Sequence, residues 1–302
     1  MYELMIIGGG PAGMTAAVYA ARKRLDAVLI SKDLGGQAMW TGRVENYMGY
    51  QYIEGFELMS KFEDQVKQFQ LEQKIGSQAM SLRRVDGGFE AVADNNERYQ
   101  GKAAIIATGK RPRSLNVPGE ERLKGKGLTY CAICDGPVFA GQKVAVIGGG
   151  NSALEAADDM SRIAEQVYIV SVTPFTGDKI LVEKVRGASN VTAFLEHEVL
   201  SISGETLADG IEIRDMKTRK QKRLDVSGIF VEIGLMPNSD LVKGLTALNE
   251  LGEIVVNCRN ETDVPGLFAA GDVTNVQEKQ IVISAGEGAK AALQAHKYIQ
   301  RL

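Results

Sequence analysis

One local pattern occurs twice in the chain, and this repeat constrains the fold more than any other feature. Each copy consists of a short apolar run, a glycine-rich turn, a helix-forming segment and a second apolar run. The first copy occupies residues 4–30 with its turn starting at Gly8, and the second occupies residues 144–170 with its turn starting at Gly148. Short apolar runs predict strands. The chain is therefore expected to contain two related βαβ units, offset by 140 residues.

The first turn, residues 8–13, has glycines at the three positions that a dinucleotide-binding turn requires. Gly8 permits the tight turn, Gly10 lets a pyrophosphate approach the backbone, and Gly13 allows close packing of helix and strand. The helix that follows supplies free amide donors and a partial positive charge at its N-terminus. These features predict a dinucleotide site at this turn.

Such a site is also expected to have an acidic residue at the end of the second strand, and this chain has none at that position. The strand ends at Ser31, and Asp33 lies beyond it, so a ribose is expected to bind Ser31, Asp33 or the backbone. Three later segments favour FAD over NAD: residues 35–37, 107–109 and 271–272. Each places small residues or a carboxylate at a strand end, where open α/β sheets bind ligands.

Two segments interrupt the α/β pattern and are expected to connect two domains. Residues 110–113 combine proline with charge, and residues 234–238 follow another apolar strand. A chain of 302 residues also exceeds the size at which one hydrophobic core normally keeps growing. We predict an α/β fold with two Rossmann-like dinucleotide-binding domains. The central domain, residues 114–239, is inserted into a discontinuous FAD domain of residues 1–113 and 240–302.

The composition excludes several classes of partner. A net charge of −3 disfavours a nucleic-acid partner, and the basic run at residues 217–223 is interpreted as a solvated hairpin tip. No apolar stretch approaches the roughly 20 residues that span a bilayer. The N-terminal apolar run enters the glycine turn directly and does not resemble a signal peptide. We expect a cytoplasmic protein with no membrane contact.

The chain has three cysteines, and two of them form a Cys-x-x-Cys pair, Cys131 and Cys134. Two thiols at this spacing favour redox chemistry, because one thiolate attacks a disulfide while its neighbour resolves the mixed disulfide. We expect no metal, because Cys258 and the two histidines are scattered singly. Cys258 is interpreted as a small apolar residue beside a strand. Asp135 is predicted to be the general acid and base for the leaving thiolate, with a simple Asp-Gly turn as the alternative.

With these residues in place, the chain resembles the low molecular weight thioredoxin reductases from Met5 to Ala295. The motifs that carry the resemblance are residues 44–47 (VENY), 131–136 (CAICDG), 148–152 (GGGNS) and 264–272 (VPGLFAAGD). The resemblance implies a FAD-containing homodimer that passes electrons from flavin through the Cys pair to a thioredoxin disulfide. The chain is also similar to the C-terminal part of the alkyl hydroperoxide reductase flavoprotein subunit. That subunit shares residues 234–238 and has an additional N-terminal redox domain.

The resemblance also implies which residues bind FAD. Asp272 is expected to hydrogen-bond the ribityl chain, and the backbone at residues 280–281 is expected to lie near the isoalloxazine edge. Rotation of the central domain about the two connecting segments is implied, because thiols that face flavin cannot reach a protein disulfide. The full set of expected FAD contacts is Gly8, Gly10, Pro11, Ala12, Gly13, Ser31, Asp33, Gly36, Gln37, Asn46, Thr108, Gly109, Gly271, Asp272, Gln280 and Ile281.

The second turn departs from the family where the electron donor should bind. It keeps the residues for a possible second nucleotide: Gly148, Gly150, Asn151, Ser152 and Ala153. The family's cationic run for the 2′-phosphate of NADPH is replaced by the uncharged residues 171–177. Each charge-assisted contact contributes about 1.5–3 kcal/mol, so losing two or three weakens NADPH about a thousandfold or more. NADPH is therefore unlikely or weak, and NADH, ferredoxin or a reduced deazaflavin is a possible donor. The retained turn can also be purely structural.

The leading interpretation is a flavin-dependent thioredoxin-disulfide reductase with an atypical electron donor. One alternative is an NADH-driven reductase of a glutaredoxin-like or peroxiredoxin partner. Another is a flavoprotein redox sensor whose Cys pair cycles slowly. The presence of Asp135 favours turnover, because a sensor needs no dedicated proton donor.

Overall fold

The computed structural model describes residues 1–41 and 44–302, without the side chains of Trp40 and Ile133. The chain forms two compact units. The first consists of Met1–Met39, Tyr47–Arg111 and Met236–Leu302, and the second of Trp40–Asn46 and Pro112–Leu235. The domain boundaries predicted from the sequence assign Trp40–Asn46 to the FAD domain. In the structure this segment belongs to the second unit.

The strands are β1 Tyr2–Ile7, β2 Ala27–Ser31, β3 Glu72–Ile75, β4 Ala79–Val85, β5 Gly88–Ala93, β6 Arg98–Ile106, β7 Lys110–Pro112, β8 Leu128–Thr129, β9 Lys143–Ile147, β10 Gln166–Ser171, β11 Val191–Leu195, β12 His197–Ser203, β13 Gly210–Asp215, β14 Gln221–Asp225, β15 Gly228–Val231, β16 Leu235–Pro237 and β17 Leu267–Ala269. The helices are α1 Pro11–Arg22, α2 Gly55–Lys67, α3 Glu120–Leu123, α4 Ala132–Asp135, α5 Asn151–Ser161, α6 Lys179–Gly187 and α7 Ile281–Ile299. Short 3-10 helices occur at Gly36–Trp40, Gly136–Phe139, Asp240–Val242 and Gly271–Val273.

The first unit is built on a sheet of order β3-β2-β1-β6-β5-β4, with β17 also paired to β6. Strands β3, β2, β1, β6 and β17 are parallel, and β4 and β5 add an antiparallel extension. The central strands β1 and β2 are almost fully buried, as expected for strands covered on both faces. Their apolar side chains form the core of this unit.

Helix α1 packs closely on this sheet and on α7 because glycine removes the side chains at the contacts. A Cβ on Gly13 would lie 1.8 Å from the Gly8 carbonyl oxygen, and one on Gly288 would lie 2.0 Å from the Ala12 carbonyl oxygen. Only glycine fits at these two positions. The first glycine turn is therefore fixed between a strand and two helices.

The second unit repeats the parallel arrangement with a sheet of order β11-β10-β9-β15-β8. A separate antiparallel sheet, β12-β13-β14, packs its apolar residues into the same unit. Strands β13 and β14 form a hairpin, and the basic run at residues 217–223 covers most of its exposed turn and the start of β14. The predicted solvated hairpin tip is therefore confirmed.

The two segments that connect the units, β7 and β16, pair with each other as a two-stranded ribbon. Within residues 1–41 and 44–302, none of the helices combines the length and the apolar composition that a bilayer span requires. The predicted α/β fold with two Rossmann-like units is confirmed, since both parallel sheets are present.

Candidate functional site

The expected FAD residues of the first unit follow strands whose ends lie side by side. Ile7 at the end of β1 pairs with Ile30 of β2 and with Ile106 of β6, and Ile106 pairs in turn with Ala269 of β17. The segments after these strands therefore meet at the carboxyl edge of one sheet. Ligands of open α/β sheets bind at this edge.

The first turn leaves space and unpaired amides for a phosphate. Gly8 has φ +115°, and a Cβ there would lie 2.3 Å from the Ala107 carbonyl oxygen, so the chain turns tightly against the end of β6. A Cβ on Gly10 would meet no atom within 4 Å. Gly10 caps α1 without a side-chain hydrogen bond, and the first turn of α1, which starts with Pro11, has no acidic residue. This geometry fits a pyrophosphate held by the helix N-terminus.

The segment after β2 closes over this turn. The buried Ser31 hydroxyl donates to the Asp33 carbonyl oxygen at 2.6 Å, while the Asp33 side chain is exposed. The Gly35 amide donates to the Gly9 carbonyl oxygen at 2.8 Å. Gly36 and Gln37 start the 3-10 helix that follows. Of the two predicted ribose partners, Ser31 is thus already bonded locally and Asp33 faces solvent.

Thr108 and Gly109 are held in place by Asn238, which sequence reasoning did not place in the site. The Thr108 hydroxyl donates to the Asn238 carbonyl oxygen at 2.7 Å, and the Asn238 side-chain amide donates to the Thr108 carbonyl oxygen at 2.9 Å. The Asn238 backbone amide donates to Gly109 at 2.9 Å. Asn238 therefore fixes the loop after β6.

Asp272 follows β17 at the same edge of the sheet. Burial raises the pKa of its carboxyl above the ordinary value, and a 3.0 Å hydrogen bond from the Ser284 hydroxyl opposes the rise. The amide of Gly271 donates to the buried Glu287 at 2.8 Å, which fixes the loop to α7. Gln280 caps the start of α7, and Ile281 is its first residue. A carboxylate in this position suits a polyhydroxyl chain such as ribityl.

A buried charge cluster beside Asp272 was not predicted from the sequence. Lys110 and Lys279 both lie within 4 Å of the Glu253 carboxylate. Burial alone would raise the pKa of Glu253, but the hydrogen bond from Lys110 and the charge of Lys279 bring it below its ordinary value. Burial lowers the pKa of Lys279. The two lysines add positive charge near Asp272, which suits an anionic cofactor.

Cys131 and Cys134 lie in the second unit, directly after the short strand β8, and form a disulfide with Cα atoms 5.3 Å apart. Cys131 caps the four-residue helix α4, and its sulfur accepts the Cys134 backbone amide at 3.3 Å. An amide that donates to sulfur favours a thiolate over a thiol once the disulfide opens. The pair therefore has the geometry of a reactive Cys-x-x-Cys centre.

Asp135 ends α4 and is 8% exposed. The Thr129 hydroxyl at the end of β8 donates a hydrogen bond to its carboxylate. The same Thr129 oxygen accepts the Cys131 backbone amide at 3.3 Å. The Thr129 hydroxyl therefore links the Asp135 carboxylate to the backbone of Cys131. Thr129 was not predicted from the sequence to be a site residue.

The second turn, at residues 148–153, has nearly the same backbone as the first. Gly148 has φ +141°, and a Cβ there would lie 2.3 Å from the Glu232 carbonyl oxygen. Gly150 caps α5 without a side-chain bond, and the first turn of that helix has no acidic residue. Asn151 is engaged instead, because its side chain accepts the Asp178 amide at 2.7 Å and donates to the Asp178 carboxylate at 3.2 Å. Ala153 is fully buried.

The loop after β10 contains no charge from Ser171 to Gly177, as the sequence indicated. The Ser171 hydroxyl accepts the Thr173 amide at 3.3 Å. The Arg186 guanidinium on α6 lies 5.9 Å from the centre of the Phe175 ring in this loop. The Arg186 cation therefore lies near this loop in space. In the sequence it lies outside residues 171–177, where the family's cationic run is expected.

Glu232, directly after β15, was also missed by sequence reasoning. Glu232 is half-buried. Burial raises the pKa of its carboxyl to about 7, and the polar groups of Ala132 and Ser152 oppose the rise. The signal available in the sequence was an acidic residue at the end of the apolar run at 228–233.

Two other predicted residues lie elsewhere. Asn46 belongs to the second unit and is exposed. Cys258, interpreted from the sequence as a small apolar residue beside a strand, is an exposed free thiol in a turn. Across the described parts of the chain, His, Cys, Asp and Glu side chains form no group of three or more that could hold a metal ion.

Two curated relatives of similar sequence are longer than this chain. The F subunit of alkyl hydroperoxide reductase in Staphylococcus aureus (strain MSSA476) is 41% identical over 301 residues, covering 99% of this chain and 59% of the relative. A protein named NADH dehydrogenase from Ferdinandcohnia aciditolerans is 40% identical, with 99% and 58% coverage. The chain thus spans about three fifths of the length of these relatives.

Solved structures match the chain over its whole length. Thioredoxin reductase from Streptococcus pyogenes MGAS5005 has a TM-score of 0.93 at 34% identity, covering 100% of this chain and 99% of the other. Thioredoxin reductase from Giardia duodenalis has a TM-score of 0.91 at 31% identity, covering 99% of each chain. The family model for pyridine nucleotide-disulphide oxidoreductases matches residues 2–293. The resemblance read from the motifs is confirmed: the chain belongs to the pyridine nucleotide-disulphide oxidoreductase family and has the two-domain fold of thioredoxin reductases.

Proposed function

We propose that this protein is a FAD-dependent disulfide reductase that passes electrons through Cys131 and Cys134 to a thioredoxin-like protein. The observation that carries the proposal is the Cys131–Cys134 disulfide at the start of α4, with the buried Asp135 in the same helix. A structural disulfide needs no buried acid beside it, whereas a redox pair needs a proton donor.

The first unit supplies the FAD site. If FAD binds there, the amides at the start of α1 would hold its pyrophosphate, the loop after β2 its adenosine ribose, and Asp272 its ribityl chain. Gln280 and Ile281, at the start of α7, would contribute to the same FAD site. Bound flavin supplies reversible two-electron transfer to a disulfide.

In the second unit, the residues around the Cys pair guide thiol chemistry. Once the disulfide has been reduced, one thiolate attacks the partner disulfide and the other breaks the resulting mixed disulfide. The Cys134 amide stabilises negative charge on the Cys131 sulfur. Asp135 carries the proton to and from the leaving thiolate, with Thr129 holding its carboxyl in position. The second unit rotates about the β7 and β16 segments to alternate between flavin and partner, and the protein is a cytoplasmic homodimer.

The electron donor is atypical in this proposal. The loop 171–177 offers no cationic side chain of its own to the 2′-phosphate of NADPH. We expect NADPH to bind weakly, with NADH, ferredoxin or a reduced deazaflavin as the donor. The test is anaerobic stopped-flow mixing of oxidised enzyme with each donor while flavin absorbance is followed. Fast bleaching by NADPH would contradict the atypical donor and leave the disulfide reductase proposal intact.

A peroxiredoxin partner is the second candidate function, favoured by the 41% identity to the F subunit of alkyl hydroperoxide reductase. In this case the protein would be an NADH-driven reductase of a peroxiredoxin or a glutaredoxin-like partner. Turnover with purified thioredoxin, glutaredoxin and peroxiredoxin substrates separates the two functions. Turnover with none of them, together with slow Cys cycling, would favour the redox sensor.

The role of the Cys pair is tested with Cys134→Ser. This variant should retain FAD and lose all detectable reduction of the partner disulfide, because the mixed disulfide can no longer be resolved. Cys258→Ser is the matched control, since it removes an exposed thiol outside the pair. If Cys134→Ser keeps the wild-type rate, the Cys pair does not take part in the reaction.

A further inference from the structure

The first unit contains a cavity of about 500 Å³ at the amino end of β17. It is lined by the segment that leads into β17, within residues 259–268, and by the last turns of α7, within residues 294–301. The candidate FAD residues lie at the other ends of these two elements, because Asp272 follows β17 and Ile281 begins α7. The cavity is therefore separate from that site, and its volume suits a small ligand.

One wall of the cavity is fixed by packing. The turn at residues 264–267 is closed by a 3.0 Å hydrogen bond from its last amide to its first carbonyl oxygen. Gly266 in this turn has φ +87°, and a Cβ there would lie 2.8 Å from the Tyr298 ring. The same ring packs edge-on against Phe268, with centroids 6.3 Å apart. The Tyr298 ring is thus held against the turn, so this wall is already formed without a ligand.

Three cationic side chains line the cavity: Arg259, Lys297 and Arg301. All three are exposed. Among residues 1–41 and 44–302, none of their charged groups has an ion-pair, hydrogen-bond or aromatic partner. Other exposed arginines, such as Arg162 and Arg223, are paired with acids. Three unpaired positive charges therefore meet at one cavity in a chain whose net charge is −3.

The two acids that line the cavity are bonded to groups outside it. The Glu261 carboxylate accepts the Asn257 side-chain amide at 2.8 Å. The Asp263 carboxylate accepts the Ala247 amide at 3.1 Å and the Thr246 hydroxyl. None of these three donors lines the cavity. The acids are therefore held by the surrounding loops, and neither forms an ion pair with a cation of the cavity.

The remaining polar groups of the cavity can also bind an anion. In the described part of the chain, the Gln294 side-chain amide and the Tyr298 hydroxyl have no hydrogen-bond partner. A helix C-terminus carries partial negative charge, which disfavours an anion. Here the amides of residues 300–302 donate to carbonyl oxygens of the last turn of α7 at 3.0–3.2 Å, which satisfies these oxygens. The donors that face the cavity are therefore in excess.

We propose that this cavity is a second ligand site, which binds a small phosphorylated molecule such as a nucleoside diphosphate. Arg259, Lys297 and Arg301 donate charge-assisted hydrogen bonds to the phosphate oxygens, and a guanidinium matches the geometry of a phosphate group. Tyr298 and Gln294 contact the uncharged part of the ligand. The site lies outside the redox centre, and the inference does not depend on the proposed function.

The test is titration calorimetry of flavin-loaded protein with ADP, pyrophosphate and adenosine. Bound flavin fills the first glycine turn, and a salt concentration of about 0.15 M screens weak surface attraction. ADP and pyrophosphate should each bind at one site per chain with a Kd below about 1 mM, and adenosine should not bind. Tighter binding of ADP than of pyrophosphate indicates that the uncharged part is also recognised. Hydrogen exchange then locates the ligand, and we expect protection of residues 259–268 and 294–301.

Three variants at exposed positions test the assignment to these cations. Arg259→Ser and Arg301→Ser should each weaken ADP and pyrophosphate about tenfold, because each removes a charge-assisted contact. Arg22→Ser is the matched control, since it removes an exposed arginine at the end of another helix, α1, and should change affinity by less than about twofold.

Three results would overturn the inference. They are the absence of saturable binding, an equal loss of affinity in Arg22→Ser, and protection of residues 148–153 in place of the cavity, which would assign the ligand to the second glycine turn. Failure of the proposed function is observed separately, as a protein that does not reduce a protein disulfide whether or not ADP binds.

Discussion

The two glycine turns share a backbone plan and differ in what surrounds them. In both, a glycine with positive φ turns against a carbonyl of the neighbouring strand end, and the central glycine carbonyl accepts an amide at 2.8 Å, from Gly35 in one case and from Thr176 in the other. A buried serine, Ser31 or Ser171, is the last residue of the second strand of each copy. The carbonyl that meets the turn glycine belongs to Ala107 beside the first turn and to Glu232 beside the second.

This comparison teaches that the repeated backbone does not determine what each turn binds. Around the first turn, the buried lysines near Asp272 and the uncapped helix suit a large anionic cofactor. Around the second, the uncharged loop 171–177 and the carboxyl of Glu232 make the turn less favourable for phosphate. Binding preference therefore lies in the strand-end side chains. The variants below test this difference, in order of decreasing expected effect.

The largest effect is expected from Gly13→Ala. The added Cβ would lie 1.8 Å from the Gly8 carbonyl oxygen, so α1 has to move away from the turn and flavin should be lost almost completely. The measurement is the ratio of flavin absorbance to protein absorbance after purification. Ala153→Gly, the reciprocal change in the second turn, should keep flavin and cost only about 1 kcal/mol of stability from helix propensity. Full flavin content in Gly13→Ala would contradict the prediction. It would show that α1 tolerates a side chain at position 13 as well as α5 tolerates Ala153.

Asp135→Asn should slow turnover by about a hundredfold or more while flavin stays bound. The amide keeps the shape of the side chain but cannot carry a proton to the leaving thiolate, and a positioned acid or base typically contributes about 10²–10⁴-fold. Steady-state reduction of the protein partner measures the loss. Glu232→Gln is the comparison variant, because it changes the other acid near the Cys pair, and we expect a smaller rate effect from it. An unchanged rate in Asp135→Asn would assign the proton to another group.

Cations added to the loop after β10 should strengthen NADPH binding. The double variant Val172→Arg/Thr173→Arg places two guanidinium groups at exposed positions, and each charge-assisted contact contributes about 1.5–3 kcal/mol. We expect NADPH affinity to rise tenfold or more with little change for NADH, as measured by calorimetry. Flavin content is the control, since the first turn is untouched. If neither nucleotide binds the variant, the second turn has only a structural role.

The smallest effects are expected from the paired serines. Ser31→Ala removes the 2.6 Å bond to the Asp33 carbonyl oxygen, and Ser171→Ala removes the 3.3 Å bond from the Thr173 amide. Each should lower the free energy of unfolding by about 1 kcal/mol, measured by chemical denaturation. Ser31→Ala should also weaken FAD several-fold, whereas Ser171→Ala should not. Equal effects on FAD would contradict a separation of roles between the two loops.

The sequence was most informative where an apolar run is continuous and meets a glycine turn. The buried strands β1, β2, β9 and β10 were placed within one or two residues because both faces are covered and the apolar signal is strong. Strands such as β3 and β14 were missed. Their residues are mostly polar and exposed, so only pairing with a neighbouring strand makes them strands.

The candidate site was predictable to the extent that its residues lie in local motifs. The Cys pair and the glycines stand in short motifs with recognisable spacing. Asn238 and Glu253 act on residues more than 100 positions away, on Thr108 and Lys110, and no local pattern contains such pairs. Glu232 was missed for the same reason, because its position depends on β15 pairing with β8 and β9, which are distant in the sequence.

The first unit consists of three separate segments of the chain, and this affects the order in which the two units can fold during translation. Its sheet and its long helix α7 require Met236–Leu302, whereas the second unit needs no residue beyond Leu235. During translation the second unit has all of its residues while the first still lacks β17 and α7. The redox centre is therefore expected to fold first, and the unit proposed to hold the flavin is completed only when the C-terminal segment leaves the ribosome.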